Sequence, residues 1–218
     1  MSNHQKRIPA PKHYPIKRKE KTYISGIKGS RSKENAIPVV VLLRDVLEYA
    51  ETKKEAKQIV ENGNVERNGD VIKDIQEGVG ILDVVEIPET DETYRAVRVG
   101  KYLEFVPVDD SKVAAKIEDK TVEGDRFIYR LHNGENYSTK DEYSTGNTLV
   151  FDGGKVEEVV LEEGAEALVV KGKHAGDMVE IEEMKTEGMQ NTAIVSNDNE
   201  FETETENLVA VEDLEVDR

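Results

Sequence analysis

Charge is sharply segregated along this chain of 218 residues. Residues 1–33 hold ten basic side chains, Lys6, Arg7, Lys12, Lys17, Arg18, Lys19, Lys21, Lys28, Arg31 and Lys33, against the single acid Glu20, a net of +9. The whole chain carries −16, so the residues after position 33 carry −25. A basic arm on an acidic body follows, and each part constrains folding differently. The arm contains Pro9, Pro11, Pro15, Gly26 and Gly29 with little apolar periodicity, so alone it is expected to be disordered. In the body, a hydrophobic share of 37% without tryptophan supports several small cores rather than one large one.

Composition also removes whole classes of function. Cysteine is absent, which excludes disulfides, thiolate zinc sites and cysteine nucleophiles. No apolar run has the length of a signal peptide or of a membrane span, so a soluble cytosolic protein is expected. The net charge argues against a nucleic-acid partner, but its distribution points the other way for the arm. Its cations are interleaved with His13, Tyr14 and Tyr23 rather than forming one block. That pattern suits an arm laid on RNA, with cations on phosphates and rings on bases, better than a merely solvated tail. The acids of the body are scattered through strand-like and turn-like sequence. Scattering favours adaptation to molar salt over an acidic interaction surface in an ordinary cell.

Regular elements begin after the arm. Pro38 suits a first helical turn, and Val39, Val40, Leu42, Leu43, Val46 and Leu47 recur at helical spacing, leaving Arg44, Asp45 and Glu48 outward. Thr52-Lys53-Lys54-Glu55 is a capping box opening a second helix, which Gly63 ends. Ala56, Ile59 and Val60 form its buried face and Lys53, Lys54 and Lys57 the opposite one. Asn68-Gly69 is a strong hairpin turn, and 81–87 reads as a strand bounded by Pro88. From 89 onward, residues 94–99, 102–106 and 126–131 alternate as strands, with turns at Asn133-Gly134 and Asp152-Gly153-Gly154. Residues 113–117 read equally as helix or strand. Further strands are expected at 167–170, 178–181, 201–206 and 207–211, with an acidic tail fraying beyond Val211.

These residues carry a family resemblance. The module at 37–88 resembles the small RNA-binding domain named after bacterial ribosomal protein S-four. The match lies in Leu43-Arg44-Asp45-Val46-Leu47, the helix with Thr52, Glu55, Ala56, Ile59 and Val60, then Gly63, Val65, Asn68-Gly69 and Leu82-Asp83-Val84. It implies that Arg44, Lys53, Lys54 and Lys57 face RNA, with Arg67 on the neighbouring strand. Residues 164–181 resemble a KOW motif through Gly164, the apolar run to Val170, Gly172, Gly176 and a return strand ending at Ile181. There Lys171, Lys173 and His174 are expected to supply charge and stacking, and the loop glycines to let backbone approach RNA.

With Lys6-Arg7, Ala10-Pro11-Lys12-His13-Tyr14, Pro38 to Ala50 and Gly78-x-Gly80-Ile81-Leu82-Asp83-Val84, the chain resembles the archaeal and eukaryotic small-subunit ribosomal S-four-e family over nearly its full length. The implied fold is α+β and multidomain: a basic extension at 1–36, an S-four-like domain at 37–88, a central β-rich domain at 89–160 and a KOW-containing SH3-like β-barrel at 161–218. The implied role is that of a non-enzymatic constituent of the cytoplasmic small ribosomal subunit. Its partners would be small-subunit ribosomal RNA and neighbouring ribosomal proteins, with no cofactor, membrane or small-molecule substrate. The acidic body departs from the strongly basic members of ordinary cells and leaves the arm as the surest contact.

Two other functional classes compete with this one. An RNA-modifying enzyme built on the same module needs a large catalytic domain, and only about 70 residues separate the two motifs. None of His4, His13, His132 and His174 has metal-ligand spacing to another. A free RNA-binding factor is distinguished by exchanging on and off ribosomes.

Overall fold

The positive charge of the arm does not hold it apart from the body. The computed structural model describes residues 5–187, 190–212 and 214, and the arm within it is folded. His4 and most of the acidic tail lie outside the described residues. The chain divides into two units, one reaching to Val97 with Lys101–Ser111, the other formed by Arg98–Gly100 and the chain from Lys112. Among the described residues there are nineteen strands and few helical turns, so the expected α+β chain is mostly β.

In the first unit, β1 (Gln5–Lys6) and β2 (Tyr23–Ile24) form an antiparallel hairpin from the arm. β3 (Ala36–Pro38) runs straight into α1 (Val39–Val41) and a π-helical turn, Leu42–Val46. Pro38 therefore ends a strand and caps the helix in extended geometry, φ −68 and ψ 143, rather than sitting inside the first turn. Val39 to Leu43 are all fully buried, so the chain is covered on every side where α1 passes into the π turn. α2 (Lys53–Glu61) is opened by the expected capping box, with the Glu55 amide donating to Thr52 Oγ1 at 3.2 Å and Glu55 accepting from the Thr52 amide.

β4 (Glu66–Arg67) and β5 (Asp70–Val71) flank Asn68 and Gly69, whose φ of 54 and 82 make the expected turn. β6 (Gly78–Gly80) pairs with β3, while β7 (Val84–Ile87), β8 (Glu92–Val99) and β9 (Tyr102–Pro107) extend a sheet ordered β5-β4-β7-β8-β9. The expected strand at 81–87 starts later, because Leu82 takes a positive φ of 63 and Asp83 turns back to Gly80.

The second unit carries two five-stranded sheets. β10 (Val113–Glu123), β11 (Arg126–Leu131), β12 (Asn136–Thr139), β13 (Thr148–Asp152) and β14 (Lys155–Val159) are ordered β12-β11-β10-β13-β14, which settles the undecided residues at 113–117 as strand. A bulge between Ile117 and Asp119 bends β10, so its first half pairs with β13 and its second with β11. Ala115, Ile117, Tyr129, Leu131 and Leu149 form the core of this sheet.

β15 (Glu166–Val169), β16 (Met178–Glu187), β17 (Gln190–Ser196), β18 (Glu200–Glu204) and β19 (Leu208–Ala210) follow in the order β18-β17-β16-β15-β19. Among the described residues no pairing joins β18 to β19, so closure into the expected SH3-like barrel is not seen among them. The edge strand β18 alternates exposed Glu200, Glu202 and Glu204 with half-buried Phe201 and Thr203, a charged rim that discourages edge-to-edge pairing.

Candidate nucleic-acid interface

The ten cations of the arm are sorted by type. All three arginines turn inward. Arg7 is 1% exposed, with its Nε donating to the Lys17 carbonyl at 2.7 Å and its Nη2 to Asp45 at 3.2 Å. Arg18 donates to the carbonyls of Ala10 at 2.6 Å and Pro11 at 2.8 Å, tying off the turn that contains them. Arg31 is buried and grips Asp83 with both ends of its fork, Nε at 2.9 Å and Nη2 at 2.7 Å. All seven lysines, Lys6, Lys12, Lys17, Lys19, Lys21, Lys28 and Lys33, are exposed. The sorting follows chemistry: the planar guanidinium is more weakly hydrated than an ammonium and so is less costly to bury.

The rings are sorted too. His13 is buried with Nε2 2.9 Å from the Ala36 carbonyl, and Tyr14 is 1% exposed, edge-on to His13 at 4.9 Å. Burial pushes the Tyr14 hydroxyl well above the usual phenol range. Four of the expected RNA contacts, Arg7, His13, Tyr14 and Arg31, are thus buried in the free protein, because the folded unit offers them acids and apolar neighbours that an isolated arm does not. Tyr23 is the ring of the arm that faces solvent, at 57% exposure.

Asp83 is the centre of the arm's anchorage. Besides Arg31 it accepts from Asn68 Nδ2 and from the Gly80 amide, each at 2.7 Å. Burial pushes its carboxyl up, but the hydrogen bonds and charge of Arg31, the Gly80 amide and the charge of Arg67 outweigh that and hold it below the usual carboxylate range. Asp45 is held down in the same sense, with burial opposed by Arg44 and Arg7. Gly78 completes the seat, since a Cβ there would stand 2.8 Å from Arg31 Cβ.

On α2, Lys53, Lys54 and Lys57 are exposed opposite buried Ala56 and Val60, as their spacing predicts. Lys57 pairs with Glu61 at 3.0 Å, an exposed contact that is easily exchanged for a phosphate. Two of the expected partners of this face are engaged elsewhere. The Arg44 side chain is 13% exposed and bonded to Asp45 at 2.5 Å. Arg67 donates to the Gly78 carbonyl at 2.7 Å and pairs with Glu77 at 3.5 Å.

In the second unit the loop between β15 and β16 exposes Lys171 and Lys173. His174 does stack, but on Phe201, ring centroids 4.0 Å apart, with Nδ1 3.3 Å from Asp177. Gly172 has open space around it and φ +93, so a close approach from outside is unobstructed. Gly176 is different: its amide bonds the Val169 carbonyl, and a Cβ would run into the Arg98 carbonyl of the same unit. Its smallness serves the fold rather than a ligand.

Sequence reasoning missed Asp45 and Asp83 as the acids that hold the arm. A signal existed for Asp83, a lone carboxylate within Val79-Gly80-Ile81-Leu82-Asp83-Val84-Val85, where only a buried partner makes the charge tolerable. It also missed Lys116 in β10, 8% exposed, whose Nζ donates to the carbonyls of Thr205 and Leu208, each at 2.6 Å. Burial lowers its pKa to about 8.

No family model matches the chain. Individual proteins do. It is 35% identical to the small ribosomal subunit protein eS4 of Halobacterium salinarum, over 98% of this chain and 97% of that protein. The eS4 protein of Haloarcula marismortui is 35% identical with the same coverage, and that of Archaeoglobus fulgidus 36% identical over 84% of this chain and 80% of that one. The crystal structure of the 30S ribosomal protein S4e from Thermoplasma acidophilum superposes with a TM-score of 0.68, covering 81% of this chain and 95% of that one at 22% identity, which shows a shared fold.

Proposed function

Because the chain belongs to the eS4 family of small ribosomal subunit proteins, we propose that it is a structural constituent of that subunit, holding ribosomal RNA through lysines and carrying no catalysis. The observation that supports the RNA interface is the sorting of the arm. Three arginines are used inside the fold, and seven lysines are left outside on a scaffold those arginines fix. A set of cations held in place meets phosphates without first ordering a free chain, so less conformational entropy opposes binding. Lys53, Lys54 and Lys57 add a second row of charge from the rigid helix α2.

Residues 37–88 are read as the S-four-like RNA-binding module, preceded by the extension at 1–36 and followed by the β domain at 89–160. The glycine loop between β15 and β16 is read as a KOW element within 161–218, with Lys171, Lys173 and the Gly172 backbone toward RNA. Its open glycine and exposed lysines favour that reading. Neighbouring ribosomal proteins are the secondary partners, and the cytoplasm is the place of assembly.

Deleting the arm is a poor test, because it takes Arg7 from Asp45 and Arg31 from Asp83. The clean test neutralises Lys6, Lys12, Lys17, Lys19 and Lys21 to glutamine and asks whether the protein still cosediments with small subunits in molar KCl. Wild-type protein is expected at one copy per subunit and the variant well below it. One-to-one cosedimentation of the variant would overturn the arm as the principal contact.

A further inference from the structure

The β1–β2 hairpin shows two different faces. Lys6 stands opposite Tyr23 and Gln5 opposite Ile24. The Arg7 amide donates to the Thr22 carbonyl at 2.9 Å, carrying the pairing one residue further. Alternation along paired strands then sets Arg7 and Ile24 on the side packed into the unit, where they are 1% and 7% exposed. Lys6 and Tyr23 are left on the other side, with Tyr23 at 57% exposure, while Ile8, in the turn that follows β1, is 71% exposed.

Single exposed apolar side chains are ordinary on any surface. Here, however, the outward face of the hairpin sets an exposed ring directly opposite a lysine, on an arm whose other rings, His13 and Tyr14, are buried. The nearest acid in sequence, Glu20, is paired with Lys17 at 3.5 Å. Lysines alone would serve any polyanion. A flat apolar surface beside one adds a preference for a polyanion that carries exposed flat rings, which is the chemistry of unpaired RNA. An acidic peptide has the charge without the rings, and a membrane needs a larger apolar area than one ring provides.

We infer that this face is a stacking site for an unpaired nucleobase of single-stranded RNA, with Tyr23 as the platform and Lys6 on a flanking phosphate. The inference rests on the RNA-binding reading above and locates within it the place where a base, rather than a backbone, is held.

The chain has no tryptophan, so Tyr23→Trp creates a single fluorescent reporter at the site. The full-length protein in molar KCl is titrated with a single-stranded adenosine 12-mer and, separately, with a blunt 12-base-pair RNA duplex. The 12-mer is expected to quench the tryptophan and the duplex to leave it unchanged. Tyr23→Leu is expected to weaken 12-mer binding roughly 5- to 150-fold, the range for losing one base stack, while Tyr23→Phe stays near wild type. If the 12-mer binds wild type and Tyr23→Leu equally and leaves the tryptophan unquenched, the stacking site is wrong and the RNA-binding reading stands. If neither RNA binds the wild-type protein, both are wrong.

Discussion

Replacing Asp83 with asparagine tests whether the arm is part of the folded unit or an accessory laid on it. The carboxylate receives four donors: Arg31 Nε at 2.9 Å, Arg31 Nη2, Asn68 Nδ2 and the Gly80 amide, the last three at 2.7 Å. Asparagine keeps the shape but removes the charge and turns one acceptor into a donor that confronts another donor. Arg31 is then a buried cation without its anion, a loss of about 3–5 kcal/mol when one partner of such a pair is removed. That is a large share of the roughly 5–15 kcal/mol that holds a domain together. Urea denaturation in molar KCl measures it without adding a second salt. Trypsin reports the cause, because release of the arm should expose Lys19, Lys21 and Lys33 to rapid cleavage.

Substituting Arg31→Met as well recovers only part of the loss, since whichever of Asn68 Nδ2 and the Gly80 amide meets the new NH2 group still lacks its acceptor, at about 1–3 kcal/mol. The sign with pH is fixed by the lowered carboxyl. The stabilisation is fully present above the unfolded carboxylate value of about 4 and disappears as pH falls through the lower folded value, a slope Asp83→Asn lacks. A cost below about 1 kcal/mol, or an arm that stays protected from trypsin in the variant, would refute the anchoring argument.

Two further outcomes follow from buried features of the second unit. Lys116 has a folded pKa of about 8 against an ordinary 10.5, so between those values the unfolded chain holds a proton that the native protein does not. Stability should therefore rise from pH 8 to 10, by at most ~3 kcal/mol, and Lys116→Met should abolish the rise; a flat wild-type profile in urea melts counts against a strained ammonium. Gly172→Ala and Gly176→Ala both place alanine at positive φ, +93 and +97, for about 1–2 kcal/mol each, but only the second also collides with the Arg98 carbonyl. The second should cost at least ~1 kcal/mol more, and equal thermal shifts would show that Arg98 simply moves aside.

What can be read from sequence is what depends on neighbours a few residues away. The Thr52 and Glu55 cap, the Asn68-Gly69 turn, the lysine face of α2 and the strand alternation of 126–131 all stand in the structure as expected, because each is decided within one turn or one hairpin. The fate of the arm does not, because it is decided across the chain. Arg7 meets Asp45 and Arg31 meets Asp83, partners 38 and 52 positions away that no local pattern announces. Gly78-x-Gly80 stands out in the sequence only as part of a resemblance. Its reason is steric and non-local: Gly78 clears room for Arg31, and the Gly80 amide bonds Asp83. The SH3-like barrel is an expectation from the KOW resemblance rather than from strand pairing, and among the described residues no pairing joins β18 to β19.

The division of labour in the arm bears on how an acidic protein holds an acidic polymer. In molar salt the screening length is about 3 Å, so neither the −25 of the body nor the +9 of the arm acts far beyond contact. Long-range repulsion from the body is then no obstacle to RNA, and long-range attraction by the arm is no help. Counterion release is weakened as well, since affinity drawn from phosphate neutralisation falls with rising salt. What survives is short-range: hydrogen bonds, stacking and the entropy saved by arriving preorganised. Asp45 and Asp83 contribute to that last term by fixing Arg7 and Arg31, and through them the backbone that carries seven exposed lysines. In dilute salt the same arrangement works against the fold. Glu66 and Glu86 stand directly opposite on paired strands, and burial together with Glu66 pushes the Glu86 carboxyl up, a repulsion that screening relieves. The acids of the body and the lysines of the arm therefore answer to one condition, a solvent salty enough to make only contacts count.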